Sequence, residues 1–208
     1  MNSPYKLLFL ILILIIGCKN REVDDIKFTQ SINSLNMNIF SDEGNKLLSI
    51  KSPYSNYNKQ ENTFNLKQTT INLFNNNELE YVINSDISKL SKNNKFLELN
   101  GNVLVKSFIQ KDDKLYANKF TWNIEDSKYI LVGDVKFKNN SVTLSSNKAI
   151  LNKSNNVIEF FKPVKYKIDD INNESGYEIN SNNAYYNIET QSVSFVSKDE
   201  RVRSKIYF

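Results

Sequence analysis

Leu97-Glu98-Leu99-Asn100-Gly101-Asn102-Val103-Leu104-Val105 and, 32 positions later, Tyr129-Ile130-Leu131-Val132-Gly133-Asp134-Val135-Lys136-Phe137 are one strand written twice. Apolar residues at every second position describe an extended segment with one buried face. The glycine marks where the backbone bends or is closely approached. A second pattern precedes each copy: an aliphatic residue, a small residue two on, Asp or Asn next, and a large apolar residue just before Asn or Ser. It runs through Ile83–Ser91, Leu115–Asn123, Leu144–Asn152 and Ile179–Asn187, with a weaker copy in Ile50–Asn58. The closing residues 58, 91, 123, 152 and 187 lie 33, 32, 29 and 35 apart. A period of this length marks stacked supersecondary units, here a strand, a polar turn and a second strand.

The rest of the chain repeats that grammar. Asp42-Glu43-Gly44-Asn45 reads as a hairpin turn after alternation at Leu35, Met37 and Ile39, continued at Leu47 and Ser49. Further breaks fall at Asn75-Asn76-Asn77, Lys92-Asn93-Asn94, Asp112-Asp113, Asn139-Asn140, Ser154-Asn155-Asn156 and from Asp169 to Gly176. No window of eleven residues keeps helical spacing without such a break. The expectation is an all-β chain of about fourteen strands.

In the first strand of a unit the recurring positions are one, three, six and eight, as in Leu115, Ala117, Phe120 and Trp122. They share a face only if a bulge lies between the small residue and the next apolar one. In the second strand Leu97, Leu99, Val103 and Val105 share a face, as do Tyr129, Leu131, Val135 and Phe137. Stacked units would line one continuous apolar interior. A closed core is the ordinary outcome for such a chain, and Ile130 and Val132, opposite Leu131, fit a strand buried on both sides in a sandwich.

Composition narrows the function. The 208 residues are 40% hydrophobic and 24% charged with net charge +4, enough for a core under an ordinary soluble surface. The Asn, Lys and Ile content resembles low-GC codon bias, so a single Asn carries little meaning. The chain has no histidine and one cysteine, so no Ser-His or Cys-His pair can be built. Asp24-Asp25, Asp112-Asp113, Asp169-Asp170 and Asp199-Glu200 fall in turns or tethers as solvated pairs. No metal-ligand spacing, paired acid and base or glycine-rich phosphate loop is present. The expectation is a non-enzymatic protein with no catalytic residue, cofactor or metal. The basic residues are scattered along the chain, which argues against nucleic acid. Arg201, Arg203 and Lys205 alternate on a terminal strand, either as exposed decoration or to meet lipid phosphates or an acidic partner.

The first eighteen residues read as a targeting segment. Lys6 precedes an apolar run from Leu7 to Ile16, then Gly17 and Cys18. About ten apolar residues cannot cross a hydrocarbon core that needs roughly 20. Leu14-Ile15-Ile16-Gly17-Cys18 resembles a bacterial lipobox, implying a signal peptide at 1–17 and a lipidated Cys18. The alternatives are a plain secretory signal or an uncleaved short anchor. Residues 18–34 are expected to form a tether, with an edge strand around Ile26 to Ile32 as the alternative, and 35–208 the β domain. Multiple acyl chains hold a protein to a bilayer far more firmly than one.

The alternating strand with Gly-x-Val, preceded by a strand with a small residue and an aromatic, resembles the OstA-like repeat of the lipopolysaccharide transport proteins. With an N-terminal anchor and about two hundred residues, the chain most resembles the periplasmic LptC-type component, over roughly Leu35 to Phe208. The resemblance implies a twisted, incompletely closed β-jellyroll. It would take lipopolysaccharide from an inner-membrane ABC transporter and pass it to an LptA-like bridge protein. The expected trough residues are Leu97, Leu99, Val103, Phe120, Trp122, Leu131, Val135, Phe137, Leu151 and Phe160, with core packing as the alternative for each. The expected partner edges are Leu35, Met37 and Ile39 at one end and Val202, Ile206 and Phe208 at the other, joined through backbone hydrogen bonds. Many members carry a transmembrane helix, whereas here the apolar run ends at a lipobox. Lys19 stands where an acidic residue would favour inner-membrane retention in enterobacteria. The expected location is the periplasmic face of the inner membrane, with the outer membrane open as an alternative. The rival reading is a structural envelope lipoprotein that carries no lipid.

Overall fold

A computed structural model describes residues 29–91, 93, 95–108, 110, 112–139, 142–169, 176–197 and 201–207. These form fourteen strands: β1 (Thr29–Phe40), β2 (Lys46–Asn58), β3 (Thr63–Asn75), β4 (Glu78–Ser91), β5 (Phe96–Ser107), β6 (Lys114–Asn123), β7 (Lys128–Asn139), β8 (Val142–Asn152), β9 (Val157–Phe161), β10 (Val164–Asp169), β11 (Gly176–Ser181), β12 (Asn183–Asn187), β13 (Ser192–Val196) and β14 (Arg203–Tyr207). Neighbours from β1 to β8 pair in chain order, all antiparallel. At β8 the sheet forks. Residues 142–145 of β8 continue through β10 to β11 and β14, whereas 148–152 continue through β9 to β12 and β13.

The fork grows out of a line of irregularities that crosses every long strand near its middle. Gly101-Asn102 and Gly133-Asp134 are both left-handed pairs, with φ of 75° and 43°, then 80° and 47°. Each inserts one residue relative to its neighbours: Asn100 and Val103 face Lys119 and Ala117, and Val132 and Val135 face Lys148 and Ser146. Glycine is favoured there because L side chains rarely adopt so positive a φ; a Cβ would also crowd the neighbouring side chains, 2.6 Å from the Asp86 carboxylate at Gly101 and 3.0 Å from Asn118 at Gly133. The residue after each glycine closes the bulge. Asn102 donates to Asp86 at 2.8 Å, and Asp134 accepts from Asn118 at 2.9 Å. In the preceding strands the small residue is usually Ser, whose hydroxyl donates to the carbonyl two residues on: Ser52 to Tyr54, Ser146 to Lys148, Ser181 to Asn183. The expected bulge is thus present, with its extra residue on the glycine strand rather than on the small-residue strand. Further on, the irregularity becomes a break. Lys162-Pro163 separates β9 from β10 and Asn182 separates β11 from β12, and Pro163 has no N–H to continue a ladder.

The line divides the strands into two halves that fold onto each other. The first layer carries β10, β11 and β14; the second carries β9, β12 and β13. Phe137 in the first lies 4.4 Å, ring to ring, from Tyr186 in the second, and Tyr166 meets Phe195 edge-on at 5.2 Å. The layers are skewed, so a first-layer strand faces one several places further along. Among the described residues no strand lies opposite the last first-layer strands: Tyr177 and Ile179 are half-buried and Ile206 is 63% exposed. At the β1 end the half-buried rings of Tyr57 and Phe64 mark the other rim, with centroids 4.6 Å apart. This is a jellyroll whose sheet does not close into a barrel, as the resemblance implies.

Two expectations about the start of the domain need correction. The strand begins at Thr29, inside the segment expected as tether and overlapping the edge strand around Ile26 to Ile32 given as the alternative, because β2 runs to Asn58 and offers a ladder from Thr29↔Asn58 onward. In β2 the inward residues are Leu48 and Ile50, both 0% exposed, rather than Leu47 and Ser49. The register shift between Ile39 and Phe40 moves the alternation by one residue.

Candidate functional site

The interior face is a largely apolar surface assembled one residue at a time by cross-strand pairing. Leu97, Trp122 and Tyr129 align in one row with Leu90 and Leu151; Leu99, Phe120 and Leu131 align in the next with Ser88 and Ala149. Of the expected trough residues, Leu97, Leu99, Val103, Phe120, Leu131, Val135, Phe137 and Phe160 are at most 1% exposed, and Leu151 and Trp122 reach 3% and 6%. All ten lie on this face. Phe120 stacks on Tyr129 at 5.6 Å, and Trp122 meets the same ring edge-on at 5.0 Å. Burial pushes the Tyr129 phenol well above its usual range, with Glu80 adding to the shift. Ile130 and Val132, expected in a doubly covered strand, are instead exposed at 37% and 43% on the outer face. Among the described residues no layer packs there.

The two layers pack closely. Between Val105, Leu115, Phe137, Leu151 and Ile158 the interior holds a cavity of about 20 Å³, the space of a single water. A larger hollow of about 370 Å³ opens at the lip where the layers' turns meet, between Leu47 and Phe74 on one side and Trp122, Ile124 and Tyr129 on the other. The Trp122 indole donates to the Asp126 carbonyl at 2.9 Å, which fixes the ring at this mouth.

Polar side chains hold the lip shut. Lys153, in the turn after β8, reaches 2.7 Å from Glu80 Oε2 at the start of β4, with the two side chains 24% and 6% exposed. Asp113, 5% exposed, accepts from Asn139 in its own layer. Asn139 also donates to the Tyr186 hydroxyl of the other layer at 3.2 Å. Burial raises the Asp113 pKa to about 6, against the opposing pull of hydrogen bonds from Asn139 and Tyr186. Gln191 donates to Gln110 across the same seam at 2.8 Å. Sequence reasoning placed Asp112-Asp113 together as a solvated turn. Only the long-range pairing of β12 shows that the second aspartate turns inward.

The edges are β1, β14 and β13, each paired on one side only among the described residues. Leu35, Met37 and Ile39 point half-buried toward the interior. Val202 precedes β14 and is 43% exposed, and Ile206 sits on it. Phe208 lies outside the described residues, as do the expected signal peptide and Cys18. The third edge, β13, was not expected; Pro163 and Asn182, which split the strands, are the signal that creates it. Among the described residues there is no cluster able to hold a metal and no helix long and apolar enough to cross a membrane.

The described residues thus form a forked antiparallel jellyroll around an apolar interior. Residues 7–129 match the family model described as lipopolysaccharide-assembly, LptC-related, and residues 104–205 match that of OstA-like protein. The chain belongs to the LptC-related lipopolysaccharide-assembly family, whose members are non-enzymatic transport proteins. Among solved structures it is similar to LptH of Pseudomonas aeruginosa, described as the LptA-homologous periplasmic component of the conserved lipopolysaccharide transport device. That similarity has 12% identity and a TM-score of 0.47, and covers 62% of this chain and 94% of the other. A likeness this low adds nothing to the family match. No curated relative matches the chain.

Proposed function

We propose that the chain is a membrane-anchored lipopolysaccharide carrier. It receives the lipid from an inner-membrane ABC transporter and hands it, rim to edge, to the next jellyroll of a periplasmic bridge. The observation that carries this reading is the unbroken apolar face running from Leu90 through Leu97, Trp122, Tyr129 and Leu151, in a member of the LptC-related family. A twelve-carbon acyl chain costs on the order of 10 kcal/mol to expose to water, so a passive carrier must keep its path apolar. Leu97, Leu99, Val103, Phe120, Trp122, Leu131, Val135, Phe137, Leu151 and Phe160 would line that path. Because the interior is filled, hydrocarbon must displace side chains or part the lip near Trp122. Lipidation at Cys18 would tie the domain to the bilayer, and the edges of β1 and β14 would join partners through backbone hydrogen bonds.

Close packing of the interior favours a second reading, a structural envelope lipoprotein that carries no lipid. Depletion in the native cell separates the two. The carrier reading expects lipopolysaccharide to accumulate at the inner membrane, and the lipidated protein purified from its envelope to bring lipopolysaccharide and a transporter with it. Normal lipopolysaccharide export after depletion would refute the carrier.

A further inference from the structure

The lysines that look scattered in the sequence are gathered by strand register onto one outer face. Cross-strand pairing aligns Lys106, Lys114, Lys138, Lys167 and Lys205 in a single row over β5, β6, β7, β10 and β14. The adjacent row adds Lys136, Lys165 and Arg203. All eight side chains are exposed. The rows span six strand spacings, about 29 Å, and lie about 7 Å apart. Among the described residues the one acid within them is Glu178, held at 2.9 Å by Lys165, which keeps its carboxyl below the usual range. In the adjoining β5–β6 turn Asp113 faces inward, and exposed Asp112 stands at the margin. Eight cations against one acid is a larger excess than the +4 of the whole chain, so the rest of the sequence is net negative. On the outer face of the second layer Lys119 lies 2.9 Å from Glu98.

We propose that this face of the first layer docks on an anionic phospholipid bilayer. Seven of the eight cations are lysines, hydrated point charges suited to a diffuse layer of headgroups; a shaped acidic partner would favour the bidentate fork of arginine. The half-buried Tyr116 and Leu104 lie in the second row, giving the lysine stems an apolar bed. Chain length permits the pose. The eleven residues from Cys18 to Thr29 reach at most about 40 Å, and the basic face begins four strand spacings, about 19 Å, from β1. Preference for a bilayer over an acidic protein rests on the membrane-anchor reading. The test below removes Cys18, so its failure is distinct from a failure of lipidation.

The full chain carrying Cys18→Ser is labelled with a fluorophore at Asn180→Cys on the basic face or at Ser194→Cys on the opposite one. It is mixed with vesicles bearing a headgroup quencher, either phosphatidylcholine alone or with phosphatidylglycerol. The expected result is quenching at position 180 and not at 194, dependent on phosphatidylglycerol and abolished by 0.5 M salt at a Debye length of about 4 Å. Lys106→Gln, Lys114→Gln, Lys136→Gln and Lys138→Gln together should weaken it at least tenfold, at about fivefold per cation. The same change at Lys59, Lys119, Lys128 and Lys148 should leave it intact. Equal quenching of both labels, or indifference to the anionic lipid, overturns the proposal. So does absence of quenching with capture of an acidic envelope protein by the same lysines. If the quadruple variant fails to fold, the lipid and salt arms on the labelled chain still decide.

Discussion

Replacing Lys153 by Met should loosen the lip that closes the interior. The ammonium lies 2.7 Å from Glu80 Oε2, which has no hydrogen-bond partner with good geometry, and the Glu80 side chain is 6% exposed. Removing the cation leaves a carboxylate buried beside Tyr81, a situation that costs 3–5 kcal/mol in a fully desolvated pair. Lys153 keeps a quarter of its surface in water, which reduces the expected loss to about 2 kcal/mol. For a domain of this size that corresponds to a fall in Tm of about 4–8 °C. Adding Glu80→Leu to the variant should recover most of it, because an apolar pair can replace an ion pair at little cost. Thermal and urea unfolding of the purified chain, followed by circular dichroism, gives both numbers. A Lys153→Met variant within 0.5 kcal/mol of the parent, or a double variant no more stable than the single, would refute the seam as a latch.

Gly133→Ala should destabilise by about 1–2 kcal/mol, since φ of 80° is costly for any side chain and Asn118 stands 3.0 Å from the new Cβ; equal urea midpoints would show that the bulge tolerates Cβ. Phe160→Ala, at a 0% exposed position, should cost 3–5 kcal/mol, and a loss under 1 kcal/mol would mean the interior is looser than described. Asp113 holds its proton up to about pH 6 in the folded chain, against 3.8 for the free group, so folding takes up a proton between those values. Stability from this group therefore declines as pH rises from about 4 to 6 and stays lower above. Asp113→Asn should raise the melting temperature at pH 7.5, with the gain shrinking as pH falls through 6. A gain independent of pH would contradict this account.

How much of this was legible in the sequence depended on whether a signal was local. The 2-3-2 step through Leu115, Ala117, Phe120 and Trp122 gave the inward face, because strand alternation and a bulge leave a trace in consecutive residues. Gly101 and Gly133 marked the fold line for the same reason. The fork was hidden: Pro163 and Asn182 look like ordinary turn residues until the halves of β8 are seen to choose different partners. Asp113 and the lysine rows escaped for a related reason. A charge's neighbours on a sheet come from strands dozens of residues away, and no window along the chain contains them. Tether and edge strand stayed open as readings of Thr29–Ser34 because the segment is largely polar, and its order comes from β2 rather than from its own side chains.

Leu131 and Val132 offer the most direct test of the interior as a lipid path. They are adjacent on β7, the first 0% exposed and facing inward, the second 43% exposed and facing out. With a photocrosslinking amino acid at each position in living cells, the account predicts lipopolysaccharide adducts at 131 and none at 132. Adducts at 132 alone, or at neither while the protein remains folded and lipopolysaccharide export continues, would contradict it.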